Sequence, residues 1–434
     1  MKTKLKTKTG LPMQGVRVTD FSWFGAGPYV TRLLAAYGAE VIRIESNTRI
    51  DGMRWQAPRK PGVPETYNIS GMFNNYNPGK LGITLNLNNP RGLEIARKLI
   101  SVSDIVLDNF IPGAMAKWGL TYEELIKIKP DIIVATMPVM GITGPYTFWR
   151  GFGTTIRTAA GIDYITGNPD RPPIGTGMAA FPDFTCNPYH AATAILAAIH
   201  YRNKTGKGQF IELAQFESTV CWTETAILDY TVNKHIQTSM RNHLPDASPH
   251  GVYRCLGEDR EVDYCAMPES EPDHRKKDER WCAIAVFTED EWKAFCKVIG
   301  NPPWTKDKKF ATFKSRKVNE DELDRLVEEW TMKKSPEKVM MLMQKAGVAA
   351  GVVNDGEDLQ TRDPQLKARG FYVYLDHPET GRIAHDGLTF ALSATPGEIR
   401  RAPLLGEHND YVYREVLGFS EDEVNQLITD SVLE

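Results

Sequence analysis

The 434-residue sequence has no Cys-x-x-Cys pair. Its six cysteines (Cys186, Cys221, Cys255, Cys265, Cys282 and Cys296) lie scattered, which excludes the usual structural zinc spacing and a disulfide framework. No segment approaches the ~20 apolar residues that span a bilayer. The longest apolar run, Ala191 to Ile199, reads as a buried helix. Met1 to Gly10 alternates Lys2, Lys4, Lys6 and Lys8 with polar residues and lacks the apolar stretch of a secretory signal. A cytoplasmic protein with reduced thiols and no membrane partner is expected. A surplus of positive charge is missing too. The net charge is -3 and the pI about 6.3, so there is no general basic face for a nucleic acid.

Several catalytic signatures are absent as well. There is no Gly-x-x-x-x-Gly-Lys-Ser/Thr loop, no His-Glu-x-x-His and no Gly-x-Ser-x-Gly. These absences exclude ordinary P-loop chemistry, zinc hydrolysis of that type and a standard nucleophile elbow. Nine histidines are spread without ligand spacing, so no metal site is expected. Gly25-Ala26-Gly27-Pro28 resembles the start of a dinucleotide turn but has no third glycine, and a tight turn explains it equally well.

What is present is a soluble composition, 41% hydrophobic and 25% charged, long enough for two domains. Val16 to Asp20 reads as a buried strand. Pro28 suits the first position of a helix, Gly38 its end, and Val41 to Ile44 the next strand. Further α-to-β alternations run from Pro90–Ser101 into Ile105–Leu107, and from Tyr122–Ile128 into Ile132–Thr136. The pattern predicts an α/β, Rossmann-like doubly wound large domain. Pro138 to Pro188, rich in glycine, proline and threonine, reads as a long functional loop before a helix at Pro188–Tyr201 with Asn187 as its cap. A strand at Phe210–Leu213 and a helix through Glu217–Asp229 follow. Beyond about residue 230 lie a strand at Trp281–Phe287, three helices (Glu291–Ile299, Glu320–Met332, Pro336–Lys345) and a charged excursion, notably Glu269 to Glu279. Ser420 and Glu423 form a capping box for a last helix. The expected division is 1–225 for the large domain, 226–390 for a smaller α+β domain, and 391–434 for a segment returning to the large one.

Residues alone stop at an α/β enzyme of unknown reaction. Asp183, a loop aspartate after a proline, reads on that evidence as a turn or cap residue. A set of ordered segments adds more. These are Gly15-Val16-Arg17-Val18 through Asp20-Phe21 to Ala26-Gly27-Pro28; Gly38-Ala39-Glu40-Val41-Ile42 with Glu45; Asn77 and Lys80; Asn109-Phe110 with Pro112-Gly113; Gly141 with Gly144-Pro145; Thr205 to Gln209; and Ala402 to His408. Together they resemble the class III CoA-transferases, the family of formyl-CoA transferase and carnitine CoA-transferase, over nearly the whole chain.

That resemblance implies a nucleophilic aspartate in the loop before the long alanine-rich helix. Asp183 occupies this place, after Arg171-Pro172-Pro173. An aspartate with a pKa near ~4 is ionised at neutral pH and needs no activating base. It implies CoA and acyl-CoA as substrates rather than a tightly bound cofactor, and a small carboxylic acid as partner. Ala26, Lys80, Leu85, Asn109, Phe110 and Lys117 fall on the family's CoA site, Lys117 where formyl-CoA transferase has an arginine. Ser46 replaces another such arginine, so the phosphate contacts must differ. Trp23, Phe24, Gly25, Met140, Phe148 and Phe152 are candidates for an acyl pocket, against the alternative that several are core. The family's subunits interlock, so a homodimer, or a heterodimer with a related subunit, is implied. Related α-methylacyl-CoA racemases use a histidine that Phe152 replaces here, which favours transfer over racemisation. Formyl-CoA transferase has Gln in place of Gly25, so oxalate and formate are not expected. The segments Asn77-Pro78-Gly79-Lys80, Lys117 to Leu120 and Phe181-Pro182-Asp183 are most similar to benzylsuccinate CoA-transferases of aromatic degradation. Succinyl-CoA as donor and an aryl-substituted succinate as acceptor are the implied substrates.

Overall fold

A computed structural model describes residues 10–173, 181–259 and 279–433. The charged stretch Glu269 to Glu279 therefore lies almost wholly outside the described residues, as does Cys265. The chain divides into two compact units. One comprises Met1–Thr166, Pro173–Gln237 and Gln365–Glu434, the other Gly167–Pro172 and Thr238–Pro364.

The first unit is built on six parallel strands: β1 (Arg17–Asp20), β2 (Glu40–Glu45), β3 (Leu81–Thr84), β4 (Ile105–Asp108), β5 (Ile133–Thr136) and β6 (Gln209–Glu212), in the order β3-β2-β1-β4-β5-β6. Val18 pairs with Val41 on one side and Ile105 on the other. Strand side chains alternate between faces, so adjacent residues enter different cores. Val41, Ile105, Leu107 and Ile133 pack against helices Ala26–Ala36 and Cys186–Thr205, whereas Ile42, Val106 and Val134 pack against Pro90–Ser101 and Tyr122–Ile128. Burial on both faces explains the apolar runs Ile105-Val106-Leu107 and Ile133-Val134-Ala135. The α/β doubly wound reading holds.

Local details shift the expected boundaries. The first helix starts at Ala26, two residues before Pro28. Tyr29 still donates its N–H to the Gly25 carbonyl at 3.0 Å, and proline in a first turn sacrifices no bond. Gly38, at φ +106°, ends that helix as expected, and a Cβ there would sit 2.7 Å from the Leu11 Cβ. The long helix begins at Cys186 rather than Pro188, and Asn187 spends its amide on Gln215 instead of on a cap. One face of this helix is buried and the other exposed, with Ile195 inside and Leu196 outside, so the apolar run within it is only half buried. Pro138 to Pro188 is not one loop. Short helices at Gly153–Ala159, Ile162–Ile165 and Phe181–Phe184 interrupt it.

The C-terminal segment caps the exposed edge of β3, where unpaired N–H groups would invite a foreign strand. Gly82 donates to His408 Nδ1 at 3.1 Å and Thr84 to Asn409 Oδ1 at 2.9 Å, while Tyr413 donates to the Thr84 carbonyl. The Ser420/Glu423 capping box is formed. A hairpin of β10 (Tyr372–His377) and β11 (Gly381–Asp386) also belongs to this unit. The second unit is an antiparallel sheet of β7 (His250–Arg254), β8 (Trp281–Ala285) and β9 (Ala349–Val352). Helices Glu289–Val298, Glu320–Thr331 and Pro336–Lys345 cover it around Ile284, Phe295, Leu323 and Val339. Among the described residues no helix is long and apolar enough to cross a membrane.

Candidate active site

In an open parallel sheet, ligands bind beyond the carboxyl ends of the strands, where the strand order reverses. Here that point lies between β1 and β4. The loops leaving these two strands are tied together reciprocally. Asn109 Oδ1 accepts from the Trp23 N–H at 2.9 Å, and its Nδ2 donates to the Trp23 carbonyl at 2.7 Å. Asn109 is thus committed to positioning Trp23.

On one side of this junction lies a cavity of about 550 Å³, walled by loops after β1, β2, β3 and β4. It gathers Trp23, Leu85, Phe110 and Lys117 from the expected set. Trp23 and Trp118 each meet Phe110 edge to face, at 5.8 and 6.0 Å, which makes an aromatic wall. Two cations reach the same space, Lys117 and Arg49. Arg49 escaped the sequence reading. It stands in a tight turn whose ends pair, Ser46 N–H to the Arg49 carbonyl at 3.3 Å, so it brings a guanidinium to the neighbourhood of Ser46. The only signal in the sequence is a basic residue three positions beyond a missing one.

Lys80 does not join them. Its ammonium is buried and donates to the Pro28 carbonyl and Asn77 Oδ1, both at 2.9 Å, and to Asp20 Oδ2 at 3.2 Å. Three donors meet three acceptors, which leaves nothing for an external phosphate. Ala26 is buried at the start of its helix, and Met140 is buried in the loop after β5.

Two residues beyond Trp23, Gly25 abuts Asp183. A Cβ on Gly25 would lie 2.9 Å from the Asp183 Cβ and 3.3 Å from its Oδ2, so glycine is what lets the carboxylate approach. From the other side the Gly153 N–H donates to Asp183 Oδ2 at 3.3 Å. Asp183 itself stands on the short helix Phe181–Phe184 and is 8% exposed. That helix is anchored by Phe184, whose ring meets Tyr76 at 5.0 Å and Tyr29 at 6.5 Å. Burial pushes the Asp183 carboxyl up to about 7, against the opposing pull of the Gly153 N–H. This corrects the expectation of a carboxyl near its ordinary value.

Phe24 and Phe152, the residues preceding these two glycines, meet each other edge to face at 5.0 Å. Phe24 has φ +60°, uncommon for a side chain of that size. The Asp51 carboxylate holds it there, accepting its N–H at 3.1 and 3.2 Å. Asp51 is in turn bonded to buried Arg43, which also donates to the Ser22 carbonyl at 2.7 Å. Phe148 is 73% exposed.

The model of the family described as CoA-transferase family III matches residues 13–271 and 272–409. Among curated proteins, the chain is 31% identical to succinyl-CoA–D-citramalate CoA-transferase of Chloroflexus aurantiacus, covering 97% of this chain and 98% of that one. It is 30% identical to formyl-CoA:oxalate CoA-transferase of Rhodopseudomonas palustris, covering 97% of each. Among solved structures, a CAIB/BAIF family protein from Brucella suis superposes with a TM-score of 0.80 at 28% identity, over 94% of this chain and 99% of that one.

Proposed function

The chain belongs to CoA-transferase family III, which moves coenzyme A between carboxylic acids, and from that premise we propose Asp183 as the nucleophile, succinyl-CoA as the donor and an aryl-substituted succinate as the acceptor. The observation that carries the reading is one buried carboxylate, pressed against Gly25 beside the sheet's switch point and touched by a backbone N–H. Ionised Asp183 attacks the donor thioester, giving a mixed anhydride and CoA thiolate. The thiolate attacks the aspartyl carbonyl, releasing the donor acid and leaving an aspartyl-CoA thioester. The acceptor carboxylate then repeats both steps in reverse. The two steps at the aspartyl carbonyl develop an oxyanion on Asp183, for which the Gly153 N–H is a preplaced donor. One thioester replaces another, so the cycle needs no nucleotide.

In this reading the 550 Å³ cavity takes the CoA moiety, with Lys117 and Arg49 facing its phosphates and the Trp23–Phe110–Trp118 wall its apolar parts. Arg49 then takes over the charge that Ser46 lacks. The named use of succinyl-CoA by the citramalate enzyme supports the donor. The aryl group of the acceptor is supported by the paired phenyl rings of Phe24 and Phe152, each one residue from a glycine that touches Asp183. Phe152 has no atom able to take a proton, which disfavours racemisation. Assembly with a second copy or a related subunit belongs to the same proposal. The helix Glu224–Asn233 buries none of its own residues and turns Leu228, Tyr230 and Val232 outward.

Mixing succinyl-CoA with a panel of free acids should yield new CoA thioesters by mass spectrometry, benzylsuccinyl-CoA foremost. Transfer to oxalate in preference to every aryl succinate would overturn the substrate assignment. The pH profile follows from the raised carboxyl. Only the ionised form attacks, so kcat/KM should rise about tenfold per pH unit below pH 7 and level off above it. A profile already flat above roughly pH 5, where an ordinary carboxyl is ionised, would contradict the assignment.

A further inference from the structure

Asp183 is flanked by two glycines, and each is preceded by a phenylalanine. Gly25 lies against its Cβ and Gly153 donates to its Oδ2, so Phe24 and Phe152 stand one residue away on either side. Their rings do not diverge. They meet at 5.0 Å and 61°, bridging the two segments between which the carboxylate sits.

The two halves of this bridge differ in freedom. Phe24 is fixed. Its left-handed backbone is clamped by Asp51, and its ring lies where a Cβ on Gly52 would come within 2.3 Å of its Cζ. Any side chain at 52 would expel it. Phe152 lies in the extended residue that precedes helix Gly153–Ala159, and is 58% exposed. Its ring can swing away by a side-chain rotation that breaks little packing.

Such an arrangement addresses a problem the transfer chemistry creates. The aspartyl-CoA thioester must wait for an acceptor carboxylate while surrounded by water. Water attack at its carbonyl forms a C–O bond and breaks the C–S bond. CoA leaves as thiolate and takes up one of the water's two protons, the other passes to solvent, and Asp183 returns as carboxylate. The net result is hydrolysis of the donor thioester. Excluding water from the site suppresses this loss, as does holding the carbonyl among apolar groups.

Resting on the reading of Asp183 as nucleophile, we propose that Phe24 and Phe152 form an aromatic cover, one ring fixed and one hinged, that makes the aspartyl intermediate discriminate carboxylate acceptors from water. Phe24 and Phe152 are then specificity-determining residues for transfer over hydrolysis.

The test compares parent, Phe152→Ala, Phe152→Tyr and Phe152→Ala/Asp183→Ala enzymes with succinyl-CoA and no acceptor, reading free thiol. Because Phe152 is exposed, the alanine variant should unfold at the parent temperature. Its acceptor-free thiol release per hydroxylamine-labelled Asp183 should rise about tenfold over the parent, and Phe152→Tyr, which keeps the ring, should release well below Phe152→Ala. In the double variant the release should disappear. Acceptor-free release per labelled Asp183 within twofold of the parent in Phe152→Ala, or equal leakage from Phe152→Tyr and Phe152→Ala, would overturn the cover. Release that persists in the double variant would overturn it as well, since the water would not be acting on Asp183. Hydroxylamine labelling of Asp183 in the same samples separates the two failures. Label present with an unchanged acceptor-free release per labelled Asp183 sinks the cover alone, and label absent sinks the covalent reading beneath it.

Discussion

Asp183→Ala should fold and lose CoA transfer by several orders of magnitude, because no second carboxylate shares its position between Gly25 and Gly153 among the described residues. Incubating the parent with donor and no acceptor should leave the side chain activated. Hydroxylamine should then convert it to a hydroxamate and end the activity, while enzyme without donor is spared. Peptide mapping should place the mass change on Asp183. Asp163, buried but engaged by Arg157 and Thr158, and Asp170 should stay unmodified. Asp183→Asn offers a control on folding. Burial raises the carboxyl from 3.8 to about 7, so the folded chain holds this proton more tightly than the unfolded one. The stabilisation it lends is full below pH 3.8 and is lost as pH rises toward 7. Asparagine never ionises, so Asp183→Asn should gain stability relative to the parent between pH 4 and pH 8. An inactive variant that had also lost stability at pH 8 would say little about chemistry. An inactive variant of equal or higher stability isolates the nucleophile. Substantial transfer by Asp183→Ala, or a label elsewhere, would remove Asp183 from the mechanism.

The sheet was legible because β2, β4 and β5 carry adjacent apolar residues that enter both cores, and because the glycine and proline punctuation falls at true boundaries, as at Gly38. β3 was not, since Gly82 interrupts the apolar residues of Leu81–Thr84 and the strand follows a segment whose motif drew attention to Asn77 and Lys80. The short helices around residues 153–184 contain four to seven residues, too few for a 3.6-residue period to declare itself, and glycine and proline argue against them. Asp183 could be found only through family resemblance. Its burial arises from Tyr76, Phe184 and Gly25, brought together by the fold from three distant stretches. Its raised carboxyl was unreadable for the same reason, because a pKa follows environment rather than residue type. Lys80 shows the reverse error. A lysine in a motif looks like a ligand for phosphate until the fold shows what surrounds its ammonium.

Lys80→Ala should therefore act on stability and not on CoA affinity. Its ammonium is enclosed with Asp20, which also accepts from Thr31 Oγ1 at 2.6 Å and from the Ser22 N–H at 2.9 Å, and lies 3.9 Å from Arg43. Burial alone would raise the Asp20 carboxyl. The Lys80 and Arg43 charges and the Ser22 and Thr31 hydroxyls outweigh it and hold Asp20 below its ordinary value, while burial pulls the Lys80 ammonium itself down to about 7 against the attraction of Asp20. Removing one partner of a buried pair leaves an uncompensated charge and typically costs about 3–5 kcal/mol, here toward the lower figure because Arg43 remains. The Pro28 carbonyl and Asn77 Oδ1 also lose their donor. Urea unfolding should show that loss, and Lys80→Met, which keeps the aliphatic stem, should recover only part of it. The folded fraction of either variant should bind CoA esters with the parent KM. Lys117→Ala should do the opposite. It removes an exposed cation from the cavity wall, so stability should hold while KM for CoA esters rises, and added salt should mimic part of the rise in the parent. If Lys80→Ala kept the parent urea midpoint and raised KM, the ammonium would leave its enclosure to meet CoA, and the assignment of Lys80 to the scaffold would fail.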